Sequence, residues 1–263
     1  MVNKLILGDN LLELQNLPAE SVDLIYLDPP FFSNRTYEVI WGDDGEIRSF
    51  EDRFAGGIDH YISWLKIRVR QMYRVLKPTG SIFLHCDWHA NAEIKVDVLN
   101  NIFGRNNFRN EIVWCYTGPS SPGMKQFPRK SDTIFWYSKS DNWKFNQIRV
   151  PYKGGKVHSG GFKEKDGSRL NPEEYNTGKP IENYWNDIAV AVRSVTERIG
   201  YPTQKPEKLL ERIIKCATNE GDTILDPFVG GGTTVAVAER LNRKWIGIDQ
   251  SVMAIKVTEM RLK

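Results

Sequence analysis

The sequence predicts an α/β protein, a mostly parallel sheet with helices on both faces, interrupted by an irregular insert. Three observations carry that reading. Apolar, strand-like runs alternate with helical spacing towards both ends of the chain; about a hundred central residues have a different, turn-rich texture; and strand-like runs at both ends close on an aspartate followed by a stiff or glycine-rich turn. A chain of 263 residues is long enough to bury a substantial core of this kind.

Residues 3 to 8 read as the first strand and residues 10 to 16 as a short helix. The next strand spans 22 to 28, where the apolar run Leu24, Ile25, Tyr26 and Leu27 suits a strand buried on both faces. It must stop near Asp28, because Pro29 and Pro30 have no backbone donor with which to extend a ladder. Asp28 and Phe31 are therefore held in a stiff turn at a strand's C-terminal end, the edge where open α/β sheets bind ligands. A helix from about 59 to 76 and a strand from 80 to 86 follow. After residue 104 the segments TGPSSPG, YKGGKVHSGG and NPEEYNTGKP are rich in turn formers, with short strands expected around 111 to 116 and 132 to 137. Helical periodicity returns after YPTQKP, with Leu209, Leu210, Ile213 and Ile214 on one face, and strand, helix and strand complete the pattern at 222 to 227, 233 to 241 and 244 to 249. The expected division is a core in two segments, 1 to 104 and 201 to 263, and an insert at 105 to 200. No internal repeat is present.

The stretch DTILDPFVGGGTT, 222 to 234, joins a buried strand to a helix through three glycines, which let the backbone turn tightly and approach a ligand before Thr233 and Thr234 open the helix. Alone, this pattern also fits a dinucleotide site or a tight connection. The next strand ends at Asp249, where a carboxylate can accept from both hydroxyls of a ribose. A Walker-type phosphate cradle needs a lysine after its last glycine, and Gly232 is followed by two threonines; the contiguous Gly230, Gly231 and Gly232 also lack the GxGxxG spacing.

The net charge of +3 is unevenly spread, since residues 105 to 200 hold sixteen Lys and Arg against ten Asp and Glu. That surplus suits a polyanion such as nucleic acid, although an ordinary solvated surface explains it as well. Three scattered cysteines argue against a disulfide framework. With no run of eighteen apolar residues and no leader-like start, the expectation is a cytoplasmic protein with no membrane segment.

Three motifs, DPPF at 28 to 31, TQKP at 203 to 206 and DPFVGGGTT at 226 to 234, together resemble the S-adenosylmethionine-dependent DNA amino-methyltransferases of bacterial modification systems. Their order, with DPPF first and the glycine motif last, is similar to the permuted beta group of that family. The resemblance covers roughly residues 3 to 100 and 200 to 260 and hardly touches the insert. It implies a Rossmann-like methyltransferase sheet, S-adenosylmethionine as cofactor, duplex DNA as substrate, and a target-recognition role for the insert; it leaves open a homodimer and a cognate restriction endonuclease. It implies that Asp28, Pro29 and Pro30 form the catalytic turn, with the Asp28 carboxylate and the Pro29 carbonyl accepting from an exocyclic amino group, and that Phe31 stacks on a flipped base. For the cofactor it implies Asp226, Phe228, Gly230, Gly232, Thr233 and Thr234, with Asp249 on the ribose. Asp9 in LILGDN would accept from the cofactor's adenine, or cap the helix that follows it, the two roles not being exclusive. Lys205 would contact the cofactor's carboxylate, while a helix start led by Pro206 accounts for TQKP equally well.

An aspartate at the head of the motif is more usual in the family's adenine enzymes, so the expected product is N6-methyladenine; Phe31 in place of the commoner tyrosine keeps N4-cytosine open. A DNA-binding module without catalysis, and an RNA or protein methyltransferase, are the readings from other classes. His85, Cys86, Asp87 and His89 cluster like metal ligands, but adjacent strand residues face opposite sides, so a structural strand end is expected. Trp114, Trp136, Trp143 and Trp185 are expected to pack, with one or two able to meet DNA. Ser33 to Phe54 reads as a segment that closes over the base or as a surface excursion; Ser120 with Ser121, Gly154 with Gly155, and Gly160 with Gly161 read as mobile loops.

Overall fold

Strands β1 (Lys4–Leu7), β2 (Val22–Leu27), β7 (Thr223–Asp226) and β8 (Lys244–Asp249) lie side by side and parallel. β2 and β7 are buried at every position, as their apolar runs require when both faces of a sheet are covered. In this computed structural model, which describes residues 3–32, 56–118, 123–151, 178–191, 201 and 203–263, they belong to an eight-stranded sheet. Its other members are β3 (Leu76–Cys86), β4 (Phe108–Cys115), β5 (Ser131–Ser138) and the two-residue β6 (Tyr184–Trp185), and the spatial order is β1-β8-β7-β2-β3-β5-β4-β6.

Alternation along the strands separates two cores. Ile25, Leu27, Ile82 and Leu84 face a layer formed by α1 (Asn10–Asn16), α2 (Gly57–Val75) and α3, a helical stretch from Asn91 to Phe103 whose middle, Ile94–Leu99, is π-helical. Leu24, Tyr26, Phe83 and Ile134 face α4 (Glu207–Ala217) and α5 (Thr233–Arg240). Leu209, Leu210, Ile213 and Ile214 are all fully buried, so the expected apolar stripe of α4 is its packing face. A last helix, α6 (Val252–Arg261), was not expected from the sequence.

The change of texture after residue 104 does not mark the edge of the sheet. β5 pairs antiparallel with β3 from Ser81↔Ser138 to Cys86↔Thr133, and β4 pairs antiparallel with β5, so the first described third of the insert continues the core sheet. Trp114, Trp136 and Trp185 are buried there, and Trp143 packs partly buried under the Arg109 guanidinium. Ser33 to Phe54, Ser120 with Ser121, Gly154 with Gly155 and Gly160 with Gly161 lie outside the described residues. Among the described residues no helix is long and apolar enough to cross a membrane.

Candidate active site

Because β1, β8, β7 and β2 run parallel, their C-terminal ends share one edge of the sheet. There they present Asp9, Asp249, Asp226 and Asp28 in turn. The four carboxylates line a single cavity of about 600 Å³, together with Pro29, Pro30, Phe31, Lys205, Phe228, Gly230, Thr233 and Thr234. Gly232 forms the left-handed cap of α5 immediately behind the wall. Every residue nominated from the sequence is thus at this cavity or one position from it.

Asp28 sits just past the last residue of β2. One carboxylate oxygen, Oδ2, forms an ion pair with the Lys205 ammonium, while Oδ1 is buried with no hydrogen-bond partner. The Tyr61 hydroxyl donates to the Pro30 carbonyl at 3.0 Å, fixing the proline turn onto α2. No hydrogen bond among the described residues reaches the Pro29 carbonyl. The Phe31 ring lies 5.9 Å from the His85 ring. His85 is fully buried, with Nδ1 3.0 Å from the Tyr26 hydroxyl and Nε2 3.1 Å from Asp132. A carboxylate can only accept, so Nε2 is the donor to Asp132, and the ring joins the Tyr26 hydroxyl to that carboxylate. Tyr116 donates to the other oxygen of Asp132 at 3.0 Å. Burial opposes the Asp132 charge, but the hydrogen bonds from His85 and Tyr116 and the positive charge of Lys205 outweigh it and hold the carboxyl below its usual range. Cys86, the next residue, packs in the opposite core, as alternation along the strand requires, while Asp87 and His89 lie past the strand end and pair with each other.

On the other side of Asp28 the glycine turn is tightly enclosed. Gly230 and Gly232 have φ of 50° and 73°, and a Cβ on Gly230 would stand 3.2 Å from the Tyr201 ring, one on Gly232 2.7 Å from the Thr258 hydroxyl. Asp249 accepts from the Gly230 N–H and the Ser251 N–H, both at 2.9 Å. Arg261 donates to the Gly231 carbonyl and the Thr233 hydroxyl, and Thr258 donates to the Gly230 carbonyl, so α6 braces the turn from behind. Asp226 is fully enclosed. Burial pushes its carboxyl up to about 7, the Asp28 and Asp249 charges add to this, and hydrogen bonds from Thr234 and the Phe228 N–H only partly oppose it.

Asp9 is an N-cap, accepting from Leu11 N–H at 2.8 Å, and its second oxygen is ion-paired with Arg68 at 2.9 Å. The Arg68 guanidinium also donates to Asn10, stacks 4.3 Å from the Trp64 ring centre, and Asn10 in turn donates to the Pro227 carbonyl. Trp64 and Phe228 meet at 5.8 Å as an aromatic wall. Sequence reasoning missed Arg68 and Trp64. The signal for Arg68 was present: it interrupts the apolar stripe Tyr61, Leu65, Met72 of α2, a position where an unpaired charge would be costly. Tyr116, Asp132 and Tyr201 carried no such signal. Lys205 reaches Asp28, where the resemblance placed it on a cofactor carboxylate.

A parallel sheet with acidic residues at its strand ends, a glycine turn into a helix, and a proline-stiffened Asp-Pro-Pro-Phe turn beside it makes a ligand site at the carboxyl edge of the sheet, where the methyltransferase resemblance expects one. The chain belongs to the DNA methylase family, whose profile matches residues 22–260. It is 32% identical over 274 residues to the type II methyltransferase M2.DpnII of Streptococcus pneumoniae, covering 99% of this chain and 90% of that protein. It is 34% identical over 261 residues to the DNA adenine methyltransferase YhdJ of Escherichia coli K12, covering 98% and 82%. In fold it is similar to the PvuII DNA methyltransferase, specific for cytosine N4, with a TM-score of 0.71 at 20% identity over 100% of this chain and 87% of that one.

Proposed function

We propose that this protein transfers a methyl group from S-adenosylmethionine to the N6 amino group of adenine in duplex DNA, acting on a base turned out of the helix. The observation that carries the reading is the arrangement of acceptors at Asp28: a buried Oδ1 and a Pro29 carbonyl that receive no hydrogen bond from any described residue, on a turn pinned by Tyr61. The family supplies the class of reaction, and the name of the relative YhdJ supports adenine as the base.

The residues present fit the cofactor. Glycines at 230 to 232 leave no room for side chains between the turn and its neighbours, the tilted rings of Trp64 and Phe228 offer an apolar wall, and Asp249 and Asp9 supply carboxylates at its ends. A cavity of about 600 Å³ is within the range that encloses a molecule of that size. When bound, the cofactor supplies an electrophilic methyl on a sulfonium. The chain's part is to prepare the nitrogen. An adenine amino group is a poor nucleophile because its lone pair is delocalised into the ring; acceptance of its two N–H bonds by Asp28 and the Pro29 carbonyl favours the pyramidal nitrogen whose lone pair is free. This is orientation and electrostatics, without a covalent intermediate. Phe31 supplies an apolar face for the purine. The nitrogen that gains a methyl loses one proton, and Asp28 is the carboxylate positioned to receive it.

The reading is tested by incubating the protein with methyl-labelled cofactor, unmethylated duplex DNA and an excess of unlabelled RNA duplex. Label in the DNA that RNA does not suppress is expected; suppression by RNA would assign the site to another polymer. Homodimer formation and a partner endonuclease are expectations of the same resemblance, and sedimentation of the purified protein tests the first.

A further inference from the structure

The seat that a target base needs is taken. The Lys205 ammonium is ion-paired with Asp28 and lies 5.3 Å from the centre of the Phe31 ring, so one cation covers both the carboxylate that would accept the amino group and the aromatic face that would stack on the base. The other oxygen of Asp28 is shielded from solvent. In this arrangement Oδ2 is occupied by the ammonium and Oδ1 is not exposed. The lysine's main chain belongs to the other side of the cavity: its carbonyl accepts from the Thr233 hydroxyl at 3.0 Å, at the first residue of α5, behind the glycine turn. Lys205 is therefore rooted in the cofactor wall and reaches across to the base wall.

A neutral amino group is a poor competitor for a carboxylate already paired with an ammonium, because displacing the cation would leave it without an anion in a partly buried cavity. A second carboxylate arriving on the cofactor side changes that balance, since the ammonium can exchange one anion for another. We infer that Lys205 is a two-position latch. It rests on Asp28 until the carboxylate at the amino-acid end of the cofactor draws it aside, and only then are Asp28 and Phe31 free to receive the base. The inference rests on the methyltransferase reading above and adds an order to it: cofactor first, base second. Lys205 acts through Asp28 and is a positioning residue.

The test reads base insertion rather than turnover. A duplex carrying 2-aminopurine next to the adenine that the enzyme methylates reports that adenine's departure from the stack by its fluorescence and leaves the target's own amino group in place. With wild-type protein, insertion is expected with S-adenosylhomocysteine, which keeps the carboxylate and cannot react. It should be weaker by about tenfold in apparent affinity with 5′-methylthioadenosine, which lacks the carboxylate, or with no cofactor. Lys205→Met should insert the base equally under all three conditions, and Lys205→Arg should restore the dependence. Equal insertion by the wild type with and without the carboxylate would overturn the latch, as would a Lys205→Met protein that still requires it. The wild-type comparison stands even where a variant folds poorly. If the wild type labels no adenine at all, the functional reading fails first and separately.

Discussion

At the cofactor end of the cavity the carboxylates are held in place: Asp249 by two backbone N–H groups, Asp9 by a helix N-terminus and Arg68, Asp226 by Thr234 and the Phe228 N–H. At the target end Asp28 keeps one buried oxygen without a partner and shares the other with a lysine anchored elsewhere. The first arrangement resembles a finished mould, in which hydrogen bonds are already made and ligand binding requires little rearrangement. The second stores an unsatisfied acceptor, a state that folded proteins rarely tolerate away from a site of chemistry. On the proposed reading, one half of the cavity holds and the other reacts.

Substitutions at the two ends should therefore separate binding from chemistry. The largest effect is expected for Asp28→Ala, which removes the acceptor acting on the amino group: the transfer rate falls by about a thousandfold or more while calorimetric cofactor affinity changes little. Wild-type turnover in that variant would erase the distinction between the ends. Asp226→Asn should raise stability, by a pH-dependent amount. A carboxyl whose pKa of about 7 in the fold exceeds its ordinary value of 3.8 destabilises the fold increasingly as pH rises between those values and by a constant amount above them. The variant's gain over wild type should thus be larger at pH 8 than at pH 5, on the order of 2–4 kcal/mol at the higher pH; a gain independent of pH in thermal melts would contradict the cause assigned here. Asp249→Ala should weaken cofactor binding by about 1.5–3 kcal/mol, from the loss of hydrogen bonds to a charged group, with the rate at saturating cofactor much less affected. Arg68→Ala should lower stability by about 2 kcal/mol by leaving Asp9 and Asn10 without their shared partner, and should loosen cofactor binding with it. Phe31→Tyr is the smallest: stacking survives, and the rate should stay within about threefold of wild type.

How far the molecule could be read from its sequence differs between these regions too. Strands β2, β7 and β8 were legible because apolar runs end abruptly at proline, glycine or aspartate, a purely local signal. The same local chemistry placed Asp28, Phe228, the glycines and Asp249 at one edge. What escaped was non-local. β4 and β5 join the core sheet through antiparallel register with β3, which the turn-rich text around them does not disclose. α6 has only Ala254 and Thr258 buried, too little for an apolar stripe, yet it braces the glycine turn through Thr258 and Arg261. The ion pair between Asp28 and Lys205 joins residues 177 positions apart, and no spacing rule connects them.

The proposed role of Asp28 and Pro29 is to prepare an adenine amino group for methylation. The most direct test incubates the protein with unmethylated duplex DNA and methyl-labelled S-adenosylmethionine, digests the product to nucleosides and identifies the labelled one by mass spectrometry. Label in N6-methyldeoxyadenosine, abolished by Asp28→Ala, is the predicted result; label in N4-methyldeoxycytidine, or none in either nucleoside while the cofactor binds, would contradict it.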